Sequence, residues 1–368
     1  MKHETLFKQK SSGQVRVWSV RTEDQKVIVS YGTVGGKVTE KITHCKAKNV
    51  GRANETTPEE QAVLEAAAMH KKQMDRECYV LDLSHPAPYV QPMLALDATK
   101  VGHRIKWDKP QFGQPKLDGV RGFHVSGNEG TVQSRKGTFY KLPHLYEQLE
   151  ALRSRMGLPK DGMFLDGEVF KMGVPLGKIN GASKKPNDLT PELEFHVFDL
   201  ACSVTPYYER RALLNKVTPQ HLEDWGLDRL EIVQSVPLEK EGVDSLHDEF
   251  VRGGYEGLMI READSLYGFD ERSDGLFKYK KFEEEEFYVL DINPDKDGQA
   301  VITYRSPKGH AAGKSTFDSR PRGTDEYRRY LVANKDNYIG KKGTVRYFEL
   351  TEYGIPQFPV TSCLDPDK

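Results

Sequence analysis

The sequence predicts an α+β protein of several domains: a small antiparallel sheet with one helix, a large mixed central domain, and an all-β C-terminal domain. Three observations carry this. The 368 residues exceed what one ordinary hydrophobic core serves, so two or three compact units are expected. The periodicity of apolar residues changes along the chain, from strand-like to helical, then mixed, then strand-like again. The composition, 37% hydrophobic and 30% charged with no apolar run approaching bilayer length, describes a globular protein without a membrane span.

The first unit is expected over residues 1–85. From Val15 to Ile42 apolar and polar residues alternate, as in Val15-Arg16-Val17-Trp18, and Gly35-Gly36 supplies a hairpin turn. Thr57-Pro58-Glu59-Glu60 then carries a helix start: a capping threonine, proline at the first helical position, and a glutamate placed to close a capping box. Val63, Ala66, Ala67, His70 and Met74 follow at helical spacing and predict the inward face. The stretch Leu83-Ser84-His85-Pro86-Ala87-Pro88 is expected to be an extended connector, since proline fixes its own backbone and restricts its predecessor.

The second unit, 86–285, alternates short apolar strands with turns and helices, one of them over His144 to Met156. The acidic run Glu283-Glu284-Glu285-Glu286 is read as a solvated segment between domains. In the third unit, 286–368, strand-like runs at Phe287 to Ile292, Ala300 to Tyr304 and Val345 to Leu350 predict a small barrel. No internal repeat or low-complexity tract is visible by inspection.

Several function classes are disfavoured. Cys45, Cys78, Cys202 and Cys363 are scattered without the C-x-x-C spacing of a zinc site, and the eleven histidines show no H-x-H or H-x-x-x-H spacing. Any metal is therefore expected to be a hard cation held by oxygen. The start Met1-Lys2-His3-Glu4-Thr5 has no apolar secretory segment, so the cytoplasm is the expected compartment. Net charge is only −1, so binding of nucleic acid must come from local basic patches.

The segment richest in chemistry is Gln114-Pro115-Lys116-Leu117-Asp118-Gly119-Val120-Arg121. A K-x-D-G match arises by chance in about one chain of this length in ten, and a turn with a solvated lysine explains it as well. The residues that follow it in order are what give it weight. They are Ser134-Arg135-Lys136-Gly137, Asp166-Gly167-Glu168, Phe195-His196-Val197-Phe198-Asp199, Glu256-Gly257-Leu258-Met259-Ile260 and Lys278-Tyr279-Lys280. Singly, Phe198 fits a strand core, Glu168 and Glu256 fit surface carboxylates at strand ends, and Lys278 and Lys280 fit a solvated strand face. A lysine nucleophile gives the set a purpose. Its amine is almost wholly protonated at neutral pH, and neighbouring cations such as Lys278, Lys280 and a divalent metal lower its pKa while holding a triphosphate.

In order and spread, this set resembles the motifs of the covalent nucleotidyltransferases, specifically the ATP-dependent DNA ligases of compact bacteriophage type. The resemblance spans most of the central domain, and Pro92-Met93-Leu94-Ala95 looks like the opening segment of ligase domains. It implies a central adenylation domain and a C-terminal OB-fold. It also implies that Lys116 takes AMP from ATP, with Mg²⁺ or Mn²⁺, and passes it to the 5′-phosphate of nicked duplex DNA, the protein acting as a monomer. Carried over by position, Gln114 contacts the adenine edge through its backbone and Phe198 stacks on the base. Arg121 and Arg135 bind phosphates of the nucleotide or the nicked strand, Lys278 and Lys280 serve the triphosphate, Glu168 holds ribose and metal, and Glu256 holds metal. The source implied is a phage, which places the protein in a bacterial cytoplasm.

Around this centre, the first unit resembles the WGR-type modules of DNA-repair enzymes, with Tyr31-Gly32-Thr33 standing where the naming tripeptide would be. Lys46, Lys48, Arg52, Lys71 and Lys72 there, Lys136 in the central domain, and Lys308, Lys314, Arg320 and Arg322 in the barrel are the cations expected to meet DNA phosphates. Ligases commonly end in a basic R-x-D-K motif. This chain has Thr361-Ser362-Cys363-Leu364-Asp365-Pro366-Asp367-Lys368 instead, leaving Arg346, Lys341 or Lys342 to take that part. Three other readings stay open from the motifs: an RNA ligase, an mRNA-capping guanylyltransferase, and a DNA-binding protein with an inactive ligase-like site. An NAD-dependent ligase is disfavoured, because its cysteine-rich zinc module has no counterpart.

Overall fold

The computed structural model describes residues 1–10, 13–84, 90–126, 132–159, 162–306, 315–351 and 353–365. The chain forms two compact units, Met1–Lys278 and Tyr279–Lys368. The architecture is mixed α+β, with an antiparallel sheet at the N-terminus, two central sheets and a closed barrel. No helix among the described residues is long and apolar enough to cross a membrane.

The first unit opens with a four-stranded antiparallel meander, Leu6–Gln9, Val15–Glu23, Lys26–Thr33 and Val38–His44, paired in sequence order. Alternation along these strands buries Leu6, Trp18, Val20 and Val27 against the helix Pro58–Glu77. That helix starts as its sequence dictates: the Glu60 N–H donates to the Thr57 hydroxyl, and the Thr57 N–H donates to the Glu60 carboxylate. Its buried face is offset from the expected one. Gln61, Ala62 and Ala66 are buried while Ala67 is exposed, because the sheet meets the helix along the Ala62–Ala66 line. Residues 85–89, where the connector was expected, lie outside the described residues. The sheet, its helix and the central sheets belong to one compact unit.

Two five-stranded sheets follow. One has, in spatial order, Leu230–Ile232, Glu194–Ala201, Phe164–Phe170, Val120–His124 and Val132–Gln133; the other has Val236–Leu238, Gln111–Lys116, Gly257–Glu262, Arg272–Tyr279 and Leu94–Asp97. The helix Pro143–Arg155 places Leu145, Leu149 and Leu152 against Leu165, Val169, Phe195 and Val197 of the first sheet. Each such leucine contributes about 1.5–3 kcal/mol by leaving water, and the rigid sheet they hold is one wall of the site.

The second unit is a closed barrel of Glu283–Pro294, Ala300–Arg305, Thr316–Pro321, Val360–Leu364 and Lys342–Tyr347. Phe287, Val289, Ile302, Tyr304, Phe317 and Val345 fill it. The run Glu283–Glu286 is not a connector: it forms the first third of a barrel strand, in register with Thr344–Tyr347. Its side chains stay exposed, so local hydrophilicity is compatible with a backbone ladder that only the partner strand reveals.

Candidate active site

Strand Gln111–Lys116 ends on the lysine. Its neighbour Gly257–Glu262 sets Gly257 opposite Lys116 and Met259 opposite Gln114, and the Glu256 N–H donates to the Lys116 carbonyl at 2.7 Å. Backbone pairing thus brings the Glu256 carboxylate to the lysine, and the Lys116 ammonium donates to Glu256 Oε2. The glycine of K-x-D-G is required by close approach: a Cβ on Gly119 would stand 2.3 Å from the Val169 carbonyl oxygen and 2.8 Å from Glu168 Cγ.

The facing sheet supplies the other wall. Glu168 lies across from Arg121 on one side and His196 on the other. Each residue of Asp166-Gly167-Glu168 has its own task. Asp166 is buried and accepts from Arg121 Nε at 2.6 Å, from Arg121 Nη2 and from the Tyr267 hydroxyl at 2.6 Å. Gly167 admits the His196 carbonyl, which a Cβ would approach to 2.5 Å. Glu168 is half-buried and lines the cleft. Burial opposes the Arg121 charge, but Asp166 overcomes it and holds the guanidinium above its ordinary pKa. Nη1 of Arg121 has no hydrogen bond among the described residues and is left for a ligand.

The two walls enclose a cleft of about 280 Å³. Lys116, Gln114, Arg121, Arg135, Glu168, Phe198 and Lys278 all line it, gathered from positions spread over more than half the central domain. Burial pushes the Glu168 carboxyl up to about 7, with Lys116 and Arg121 pulling the other way and Asp166 and Asp118 adding to the rise. Burial also lowers Lys278; Asp97 opposes this and the Lys116 charge assists it. A larger depression of about 470 Å³ beside Glu194, Glu223 and Glu231 carries no lysine or arginine, so its chemistry does not suit a phosphate.

Some expected residues have different surroundings. The Gln114 side chain is consumed inside the protein: its amide donates to the carbonyls of Phe198 (3.1 Å) and Val233 (3.3 Å) and accepts from Arg261 Nε (2.6 Å). Phe198 is half-buried, with the guanidinium of Arg121 at 4.8 Å and that of Arg261 at 5.5 Å from its ring centre. Lys280 falls in the barrel unit, where its ammonium lies 4.4 Å from the Phe348 ring. The strand Arg272–Tyr279 stops short of it, so the alternation that pairs Lys278 with Lys280 in sequence does not continue in space.

Of the cations expected to meet DNA, Lys136 pairs with Glu77 at 2.7 Å, Lys48 with Glu65 at 2.9 Å, and Arg320 with Asp295 at 2.8 Å. Lys46, Arg52 and Arg322 are exposed, and Lys308 and Lys314 lie outside the described residues. Arg346 covers the Phe282 ring at 3.7 Å, and Lys342 lies 3.6 Å from Glu286.

Sequence reasoning missed Arg261 and Arg272, which also line the cleft, and gave no role to Asp199, the buried acid behind Arg261. Asp199 accepts from Arg210 Nε (2.8 Å) and Nη2 (3.0 Å) and from Arg261 Nη1 (2.7 Å), all three residues being buried. Burial works against its charge, but the two guanidiniums hold it below the ordinary carboxylate range. The signal was adjacent: Asp199 follows Phe198, and Arg261 continues Glu256-Gly257-Leu258-Met259-Ile260.

Residues 92–280, just over half of the chain, match the ATP dependent DNA ligase domain. The chain belongs to this family. Among curated relatives, this ligase-family chain is 26% identical over 352 residues to the DNA ligase of African swine fever virus, covering 90% of this chain and 80% of that one. It is 27% identical over 208 residues to a DNA ligase of Archaeoglobus fulgidus, covering 52% of this chain and 36% of that one. Among solved structures, a Lig E DNA ligase described as binding DNA with a minimal scaffold superposes with a TM-score of 0.56 at 22% identity, over 75% of this chain and 99% of that one. That likeness extends the ligase fold beyond the matched domain. ATP is accordingly the nucleotide substrate of the family.

Proposed function

We propose that Lys116 carries AMP from ATP to a nick in duplex DNA. The observation that carries this is the placement of its ammonium on the cleft wall, paired with Glu256 and facing Glu168 across a setting of Arg121, Arg272 and Lys278. In the first step the ammonium loses a proton, for which the hydrogen-bonded Glu256 is the acceptor at hand. The amine then attacks the α-phosphate, a nitrogen–phosphorus bond forms, and the phosphorus–oxygen bond to pyrophosphate breaks. In the second step an oxygen of the DNA 5′-phosphate takes AMP from the lysine. In the third the 3′-hydroxyl attacks that phosphate and AMP leaves.

Arg121, fixed by Asp166, presents its remaining donors to phosphate, and Arg135 stands with it at the cleft. Phe198 offers its ring to the base, Gln114 its backbone, and Glu168 its carboxylate to ribose. Among the described residues no cluster of three or more metal-ligating side chains is present. Glu256 and Glu168 are the carboxylates that would hold a Mg²⁺ or Mn²⁺, a hard cation suited to oxygen donors, which would neutralise phosphate charge there. The chain acts as a monomer in a reducing, cytoplasmic compartment, in keeping with its four free cysteines.

Incubation with α-labelled ATP, GTP or NAD and Mg²⁺ tests the reading. Label is expected on the protein from ATP alone and is lost in Lys116→Ala. It is also lost in Lys116→Arg, because a guanidinium cannot deprotonate. Label from GTP alone would point to a capping enzyme. Competing nicked DNA against nicked RNA then fixes the polynucleotide, and preference for RNA overturns the DNA reading.

A further inference from the structure

A depression of about 520 Å³ lies in the N-terminal module, between the strands Leu6–Gln9 and Val15–Glu23 and the second half of helix Pro58–Glu77. Buried Trp18 and Tyr79 form part of its lining, and Lys8, Lys10, Arg16 and Lys72 bring cations to it. Strand register sets Lys8 directly opposite Arg16, a like-charge pair that destabilises a sheet unless something answers it. Lys8 is answered within the protein, by Asp270 at 2.5 Å, Gln91 Oε1 at 3.0 Å and the Glu77 carbonyl at 2.6 Å. The other lining carboxylate, Glu77, is taken by Lys136. Lys10, Arg16 and Lys72 are left without a carboxylate partner among the described residues. Arg16 donates a hydrogen bond to the Tyr79 hydroxyl. In a chain whose net charge is −1, this is a concentrated positive groove.

The groove also leads to the ligase site. Glu77 binds Lys136, whose chain neighbour Arg135 lines the nucleotide cleft, and both Glu77 and Asp270 act electrostatically on Arg135. Cations spread over two strands and a helix do not converge on a single point as a phosphate-monoester site does; they suit an extended polyanion. We propose that this groove binds backbone phosphates of the duplex flanking the nick, without reading its sequence. This rests on the ligase reading and adds a second DNA contact to it. It also moves the DNA face of the module away from Lys46, Lys48 and Arg52, where Lys48 is already occupied by Glu65.

The test compares the full chain carrying Lys10→Gln, Arg16→Gln and Lys72→Gln with one carrying Lys46→Gln, Lys48→Gln and Arg52→Gln. Affinity for a nicked duplex is measured across a salt series, and labelling by ATP without DNA is measured alongside. The groove variant is expected to lose roughly tenfold or more in affinity at moderate salt. Its slope of log affinity against log salt should be shallower by about 2–3, near 0.9 for each phosphate that is no longer neutralised. Its labelling should match the wild type, and the loop variant should behave as wild type throughout. A pair variant, Lys10→Gln with Lys72→Gln, keeps the Arg16–Tyr79 contact and is expected to show about two-thirds of the slope change. Wild-type affinity and slope in both groove variants, or a weakened affinity in the loop variant instead, would overturn the proposal. Absence of ATP labelling in the wild type would sink the ligase reading instead, so the two failures are separable.

Discussion

Glu168 and Lys116 share one cleft but are tuned in different ways. Lys116 is paired, so its charge has a partner; Glu168 is desolvated with no ion pair within reach among the described residues, and its carboxyl is pushed up to about 7. Below that pH Glu168 is neutral, and above it anionic. If its carboxylate serves ribose or metal, adenylation at low ATP should rise as pH passes through about 7, and Glu168→Gln should flatten that limb; an unchanged limb in the variant would assign it elsewhere. The linkage to stability runs the other way. The folded state holds this proton more tightly than the unfolded chain, so wild-type stability falls as pH climbs from the ordinary glutamate range to about 7. Glu168→Gln, measured by urea unfolding at pH 5 and pH 8, should lose less stability over that interval than the wild type.

At the level of elements, strand pairing explains why the motifs have the spacing they do. Gly119 and Gly167 let adjacent backbones close on one another, and Asp166 and Glu168, two residues apart on one strand, share a face on which Asp166 is buried beneath Arg121 while Glu168 lines the cleft. The buried Asp199 ties helix Tyr207–Leu214, through Arg210, to strand Gly257–Glu262, through Arg261. Asp199→Asn leaves two buried guanidiniums without their counter-charge, and removing one partner of such a network costs about 3–5 kcal/mol. The midpoint of urea unfolding reads that loss. The same change frees Arg261 from its anchor behind Phe198 and Gln114, so the KM for ATP in the labelling reaction should rise in the fraction that folds. A stability within about 0.5 kcal/mol of wild type, by the scale of surface substitutions, would show that the network is not structural.

For the molecule as a whole, the N-terminal module is joined to the central sheets by polar contacts rather than by a linker alone. Lys8 bonds Asp270 and Gln91, Glu77 bonds Lys136, and Phe7 pairs with Val80 beside them. Lys8→Met removes the charge that answers Asp270 and leaves Gln91 without that donor, at a cost of about 1–3 kcal/mol. Calorimetry is expected to show the module melting ahead of the central sheets in the variant. A single unshifted transition would mean that apolar packing alone holds the junction.

Much of this was legible in the linear chain. The capping box at Thr57 is local chemistry, the barrel follows from alternating strands, and the Lys116 constellation is a set of residue types whose order survives any folding detail. Other features depend on distances that sequence does not encode. Lys280 resembles Lys278 in the chain, but the strand ends at Tyr279 and the next residues enter another unit. Glu283–Glu286 is hydrophilic and still forms a strand, because its ladder is made by Thr344–Tyr347. Lys10, Arg16 and Lys72 form one groove only because a hairpin and a helix cross. The sequence by itself determined the family of chemistry and the layered α+β plan, since these rest on residue type and periodicity. Tertiary structure alone decided which charges are neutralised and which remain for a ligand, because electrostatic interaction depends on separation and burial, and neither is written in the order of residues.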